Sequence, residues 1–206
     1  MKLVAFIGFR SAGKNTAAQP LVDTYGYHLL SFADAMKDAL AAIFCWDREL
    51  LEGISEESRV WREQVDPWWS KKLGIPDLTP RFMLRHFGTE IMRAHFHQEI
   101  WVHHVERRIT LLGDQPVVLT DARFGNEIAL VRRFEGKLIR IKRGDDPAWM
   151  PIAYQANRGD RMCLAHMQAT KVHESEWRWV TQKYETIEND GDIASLHAKV
   201  VNIIRP

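Results

Sequence analysis

Apolar and polar positions alternate between two periods along this chain, and each change of period marks a change of element. Residues 3–7, Leu-Val-Ala-Phe-Ile, form an apolar run of strand length. A glycine-rich turn follows, and residues 15–25 read as a helix that Pro20 bends without ending. Residues 27–32 read as a second strand. Residues 34–44 place Ala35, Met36, Ala39, Leu40 and Ile43 at helical spacing, with Asp34 at the start in a capping position. Residues 47–80, broken by Gly53, Pro67, Gly74, Pro76 and Pro80, suit short helices and loops.

A long helical stretch is expected over residues 81–112, interrupted near Phe87-Gly88-Thr89, where Thr89 caps a restart. Ile91, Phe96, Ile100, Val105 and Ile109 supply its apolar stripe. Strands are expected at residues 117–120, 137–143 and 184–187, and helices at 126–134 and 193–204. Residues 144–176 are polar and show little periodicity, which predicts a mobile excursion. Strands separated by helices imply an α/β fold, a parallel sheet of about five strands with helices on both faces. Ligands bind such sheets at the carboxyl ends of the strands. That edge should carry residues 8–16, Ala33 and Asp34, residues 121–123 and Arg143.

Composition narrows the function classes. The 206 residues are 46% hydrophobic, ample for a buried core, and one domain with insertions is expected. The net charge of +1 offers no overall field for a nucleic-acid polymer or an anionic membrane, so neither is an expected partner. The two cysteines, Cys45 and Cys163, stand far apart in no metal or redox spacing, and a cytoplasmic location is expected.

Chemistry enters with the first turn. Gly8-Phe-Arg-Ser-Ala-Gly-Lys14 has the G-x-x-x-x-G-K spacing of a phosphate-binding loop, whose backbone N–H groups converge on phosphates while the lysine neutralises their charge. The following helix directs its positive end to the same place. Gly8, Arg10, Ser11, Ala12, Gly13, Lys14, Asn15 and Thr16, with Arg143, are the candidate contacts to a nucleotide's phosphates. The residue after the lysine is Asn15 where the motif has serine or threonine; its amide oxygen would reach magnesium directly or through water.

Asp121 ends an apolar strand, as the acidic partner of such a loop does when it orients magnesium; a helix-capping aspartate is the plainer reading. Arg123 is a candidate phosphate contact at the same edge. Phe124 stands where a switch GTPase has glycine, and no Asn-Lys-x-Asp occurs, which argues against a GTPase. Transfer to an acceptor needs a second anion site, for which Lys37, Arg81 and Arg85 are candidates against a solvated helical face. Trp61, Trp68, Trp69 and Trp101 could stack a base, although tryptophan more often serves a core. His86, His95, His97, His103 and His104 lack the companions of a zinc site. Arg158, Arg161 and His173 are candidate lid residues.

With these residues in place the chain resembles the bacteriophage-type deoxynucleoside monophosphate kinases, a branch of the P-loop kinases. The resemblance lies in residues 8–16, Phe32-Ala-Asp-Ala-Met-Lys-Asp-Ala-Leu40, Leu84-Arg-His-Phe-Gly-Thr-Glu-Ile91 with Trp101-Val102, and Leu119-Thr-Asp-Ala-Arg-Phe-Gly-Asn-Glu127. His173-Glu-Ser-Glu176 and Ile187-Glu-Asn-Asp-Gly-Asp-Ile193 also fit. It implies a P-loop NTPase three-layer sandwich with a helical acceptor-binding insertion (34–112), a lid (144–176) and a core of residues 1–33, 113–143 and 177–206.

It also implies transfer of the ATP γ-phosphate to a deoxynucleoside 5′-monophosphate with Mg2+, in phage nucleotide metabolism within the host cytoplasm. Lys14, Asp121 and Arg123 would be catalytic, and Asn15 and Asp121 would serve the metal; aspartate is common at the position of Asn15 in that family. Asp34, Lys37, Arg81, Arg85, Gly88, Thr89, Trp101, Arg123 and Glu127 would hold the acceptor. A second copy of the chain, forming a homodimer, is a further possible partner. The competing expectations are a dephospho-coenzyme A kinase and a non-catalytic nucleotide-binding module.

Overall fold

The structure is a computed structural model and describes residues 2–205, which divide into a sheet unit, residues 2–31 and 105–205, and a helical unit, residues 32–104. In the sheet unit β1 (Leu3–Ile7), β2 (His28–Leu30), β3 (Val117–Leu119), β4 (Lys137–Lys142) and β5 (Glu185–Glu188) form one sheet in the order β2-β3-β1-β4-β5. Every pairing is parallel, and β1 lies between β3 and β4 with Ala5 opposite both Leu119 and Leu138. All five residues of β1 are buried, as a strand covered on both faces requires.

On one face Val4, Phe6, Val118, Ile139 and Ile141 pack with Ala17, Ala18 and Leu21 of α1 (Lys14–Asp23) and with Leu196, Val200 and Ile204 of α10 (Ile193–Ile204). On the other, α7 (Gly125–Arg133) contacts β1 and β4 and buries Ile128, Leu130 and Val131. Burying a side chain such as Phe6 or Leu21 stabilises the unit by about 1.5–3 kcal/mol each. The α/β fold expected from the alternation is therefore the fold observed.

Pro20 does sit inside α1, and the structure shows how the helix tolerates it. Proline has no N–H to donate to the Thr16 carbonyl, and His197 Nε2 of α10 donates to that oxygen instead, at 2.9 Å. Strand β2 is shorter than expected because it is the sheet edge and pairs only with the three residues of β3.

Residues 144–176 differ from expectation. They contain α8 (Met150–Asn157), α9 (Arg161–Ala169) and a 3-10 turn, Glu174–Glu176. Pro151 lies in the first turn of α8, the Asp160 carboxylate caps α9 by accepting the Cys163 N–H at 2.9 Å, and the buried positions are Ala153, Ala156 and Met167. Such small side chains leave almost no hydrophobic periodicity to read.

The helical unit contains α2 (Asp34–Phe44), a 3-10 turn (Leu50–Glu52), α3 (Glu56–Glu63), α4 (Pro67–Leu73), α5 (Pro80–Arg85), a π-helix (His86–Phe96) and the first residues of α6 (Ile100–Leu112). Ser55, Asp66 and Thr79 cap α3, α4 and α5, and Pro67 and Pro80 begin the last two. The core joins Leu40, Phe44, Trp46, Leu51, Leu78 and Met83, flanked by Trp61 and Trp69.

The expected interruption at residues 87–89 is absent. The helix widens there and ends at His97, whose N–H bonds to the Met92 carbonyl and whose Nδ1 accepts the Glu99 N–H at 3.1 Å, so the restart is His97's and not Thr89's. Ile91 and Phe96 are exposed, and the buried side of the stretch is Trp101, Val102, Val105 and Ile109.

Candidate active site

The turn after β1 is held open by main-chain geometry. Gly8 has φ 135°, and a Cβ there would lie 2.4 Å from the Ile141 carbonyl oxygen. Gly13 has φ 98°, and a Cβ there would meet Asn189 Nδ2 at 2.6 Å. Asn189 fastens the loop to the strand ends: its side chain donates to the Ala12 carbonyl (2.9 Å) and its N–H to that of Lys142 (2.7 Å). Phe9 lies against Trp149 and Trp179, at centroid distances of 5.4 and 5.1 Å, beside the buried guanidinium of Arg140, which pairs with Asp146. Gly13 is the N-cap of helix α1 and gives no side-chain bond to its first N–H groups, the groups with which a helix start binds anions.

Around this loop the sheet unit gathers four charges. Lys14 Nζ donates to the carbonyls of Gly8 (2.9 Å) and Phe9 (2.8 Å). Its pKa is lowered from 10.5 to about 8, first by burial and then by the like charge of Arg123, with Glu176 and Asp121 opposing. Asp121 Oδ2 accepts the Ser31 hydroxyl at 2.6 Å. Arg123 Nη1 donates to Glu176 Oε1 (2.5 Å) and Ser175 Oγ (3.3 Å), while Glu176 Oε2 accepts the Arg10 N–H at 3.2 Å.

The N-cap position of α7 belongs to Phe124. Buried Glu127, in the first turn of that helix, reaches back, with Oε2 accepting the N–H groups of Arg123 (2.8 Å) and Phe124 (3.1 Å). Glu127, an expected acceptor contact, shapes the turn that carries Arg123.

The remaining expected residues are more dispersed. Arg10, Ser11, Asn15 and Arg143 are exposed, Thr16 is half-buried and Ala12 is buried. In the helical unit Lys37 is mostly buried and pairs with Glu52 at 2.6 Å. Arg48 ties Glu52 to Asp38 (2.5 Å) and Asp34 (3.6 Å). Arg81 and Arg85 extend outward, 3.9 Å from Glu63 and 3.8 Å from Glu90.

Gly88 and Trp101, expected as acceptor contacts, pack against each other, and Gly88 packs against Met36. Trp101 Nε1 donates to the Gly88 carbonyl at 3.0 Å, and a Cβ on Gly88 would meet Met36 Sδ at 2.4 Å. Thr89 is exposed. Trp69 donates to the Phe44 carbonyl at 2.9 Å and Trp61 packs edge-on to Trp46, so of the candidate stacking tryptophans only Trp68 is exposed. Arg158 and Arg161 are exposed, the former beside Tyr154, and His173 Nδ1 accepts the Ser175 N–H at 3.2 Å.

Sequence reasoning passed over Ser31, Arg140, Glu176 and Asn189. The last two lie inside stretches that resemble the kinase family, but a glutamate beside a phosphate loop has the wrong sign to attract notice.

Among the described residues no cluster of three or more His, Cys, Asp or Glu is arranged to hold a metal ion. Magnesium in phosphoryl transfer takes most of its ligands from phosphates and water and needs one or two protein oxygens. The Asp121 carboxylate, bonded to the Ser31 hydroxyl, fits that requirement.

A parallel 2-3-1-4-5 sheet with a glycine-rich phosphate loop after its central strand defines the P-loop nucleotide-binding class. The chain is 32% identical over 154 residues, 69% of its length and 75% of the relative's, to a protein of Acanthamoeba polyphaga mimivirus described, by assignment, as a deoxynucleotide monophosphate kinase. The chain belongs to the deoxynucleotide monophosphate kinase family. No family model matches it. Similar solved structures include a dephospho-CoA kinase from Campylobacter jejuni (14% identity, TM-score 0.48, covering 100% of this chain and 96% of that one). A gluconokinase from Sinorhizobium meliloti 1021 is also similar (11%, 0.43, 99% and 91%).

Proposed function

We propose that the protein transfers the γ-phosphoryl group of ATP to the 5′-phosphate of a deoxynucleoside monophosphate, giving the diphosphate and ADP for phage DNA synthesis. The observation that carries this reading is the convergence of Lys14, Asp121 and Arg123 on one phosphate loop. An acceptor phosphate oxygen attacks the γ-phosphorus, the bond to the β–γ bridging oxygen breaks, and ADP departs with that electron pair. A phosphate monoester is largely dianionic at neutral pH, so the attacking oxygen needs no base and the protein's task is electrostatic.

Loop N–H groups cradle the inner phosphates, and Lys14, turning from the Gly8 and Phe9 carbonyls, neutralises charge on the outer ones. Arg123 steadies the group in transfer, and Lys37 holds the acceptor's phosphate. Magnesium, held through Asp121 and through Asn15, the residue that follows Lys14, would neutralise charge on the β- and γ-phosphates. No helix among the described residues is long and apolar enough to cross a membrane, and both cysteines are free thiols, in keeping with action in the cytoplasm.

The test is ADP release, measured by a coupled assay, with dAMP, dGMP, dCMP, dTMP, their ribo-forms and dephospho-coenzyme A as acceptors. Turnover is expected with at least one deoxynucleoside monophosphate. Turnover with dephospho-coenzyme A alone would assign the chain to a sister activity, and ATP binding without turnover on any acceptor would make it a binding module.

A further inference from the structure

Glu176 places a carboxylate oxygen directly on a main-chain N–H of the phosphate loop, that of Arg10, and holds the Arg123 guanidinium with its other oxygen. A main-chain N–H and a guanidinium nitrogen are the donors with which proteins bind phosphate oxygens. Their place along the loop indicates which phosphate they suit. The start of α1 receives the inner phosphates and the loop lysine reaches the outer ones. Arg10 lies upstream of the helix start, and Arg123 is near enough to Lys14 for its charge to act on the ammonium.

We propose that Glu176 stands in for the terminal phosphoryl group of the nucleoside triphosphate. It competes with that group for the Arg10 N–H and the Arg123 guanidinium, and so sets how strongly the site prefers a triphosphate to a diphosphate. The proposal rests on the phosphate-loop reading given above. Two anions cannot share these donors, so the γ-phosphoryl group displaces the carboxylate when ATP binds. Once that group has passed to the acceptor, ADP has nothing to offer in its place and the Glu176 pair re-forms.

The carboxylate can be altered without removing the turn that carries it. The 3-10 turn Glu174–Glu176 is capped by His173, whose Nδ1 accepts the Ser175 N–H.

The experiment is calorimetric titration of ATP and of ADP into wild type, Glu176→Gln and Glu176→Ala, with Lys14→Ala as the arm that tests the loop itself. Removing a charge-assisted competitor should tighten ATP binding about tenfold in both Glu176 variants and leave ADP within about twofold. Weaker or unchanged ATP binding would make Glu176 a mere support for Arg123 and overturn the proposal, as would equal tightening of ATP and ADP. If Lys14→Ala binds both nucleotides as wild type does, the phosphate-loop reading fails and the proposal with it. If Lys14→Ala loses both while the Glu176 variants show no selective gain, only the proposal fails.

Discussion

The sheet unit and the helical unit hold their cations differently. In the sheet unit Lys14 is bonded to two loop carbonyls, and Arg123 is bonded to a carboxylate and a hydroxyl on a turn that buried Glu127 fixes from behind. In the helical unit Arg81 and Arg85 are about half-exposed or more, with carboxylates no nearer than 3.8 Å, and of that unit's three cations expected to hold the acceptor only Lys37 is mostly buried and closely paired. Exposed pairs of that kind contribute little. Main chain organises the phosphate loop before any ligand arrives, whereas the outer arginines take their geometry from what they meet.

The largest effect that would sharpen this contrast is catalytic. Lys14→Ala should lower turnover by several orders of magnitude in a folded protein, since a preorganised cation facing developing phosphoryl charge commonly contributes roughly 3–4 kcal/mol or more. Arg81→Ala should change it less than about threefold, as an outward-facing ion pair predicts. Equal losses, with native circular dichroism spectra for both, would erase the distinction.

Stability gives the next comparison. Gly8→Ala places a Cβ against the fixed Ile141 carbonyl at a φ that side chains avoid, and should cost about 3 kcal/mol or more. Gly88→Ala meets only the Met36 side chain, which can rotate aside, and alanine favours a helix, so about 1 kcal/mol or less is expected. Urea unfolding of the two variants measures the difference, and a Gly88 variant as unstable as the Gly8 variant would refute it.

The smallest effect is that of pH. Lys14 has a folded-state pKa of about 8, below its ordinary 10.5, so between those values the unfolded chain holds a proton that the folded protein has released. Stability from this group therefore rises with pH across that window and is constant below it. ATP binds the protonated form, so affinity should fall as pH rises above about 8, by at most about tenfold per unit. At pH 9, calorimetry in buffers of different ionisation enthalpy should show proton uptake approaching one per ATP bound. No uptake would mean that Lys14 keeps its proton throughout.

Much of the fold was legible because its signals are local. Apolar runs placed the five strands, and helical spacing set α2 and α10 at residues 34–44 and 193–204, the bounds that the structure has. The phosphate loop was equally plain, since Gly8 and Gly13 are demanded by backbone conformation and close approach, and such demands leave few residue choices. Helices α8 and α9 were not legible, because alanines bury little area and carry no periodic signal.

The sequence alone determined the alternation of elements, the parallel sheet that follows from it, and the identity of the loop, because hydrophobic period and glycine placement act over a few neighbouring residues. Only the tertiary structure decided which charges meet. Glu176 reaches the loop across 166 residues and Asn189 across 177, and Thr16 finds in His197, 181 residues away, the donor that Pro20 withholds. Contacts of that range depend on how the strands are ordered in the sheet, and no window of neighbouring residues records it.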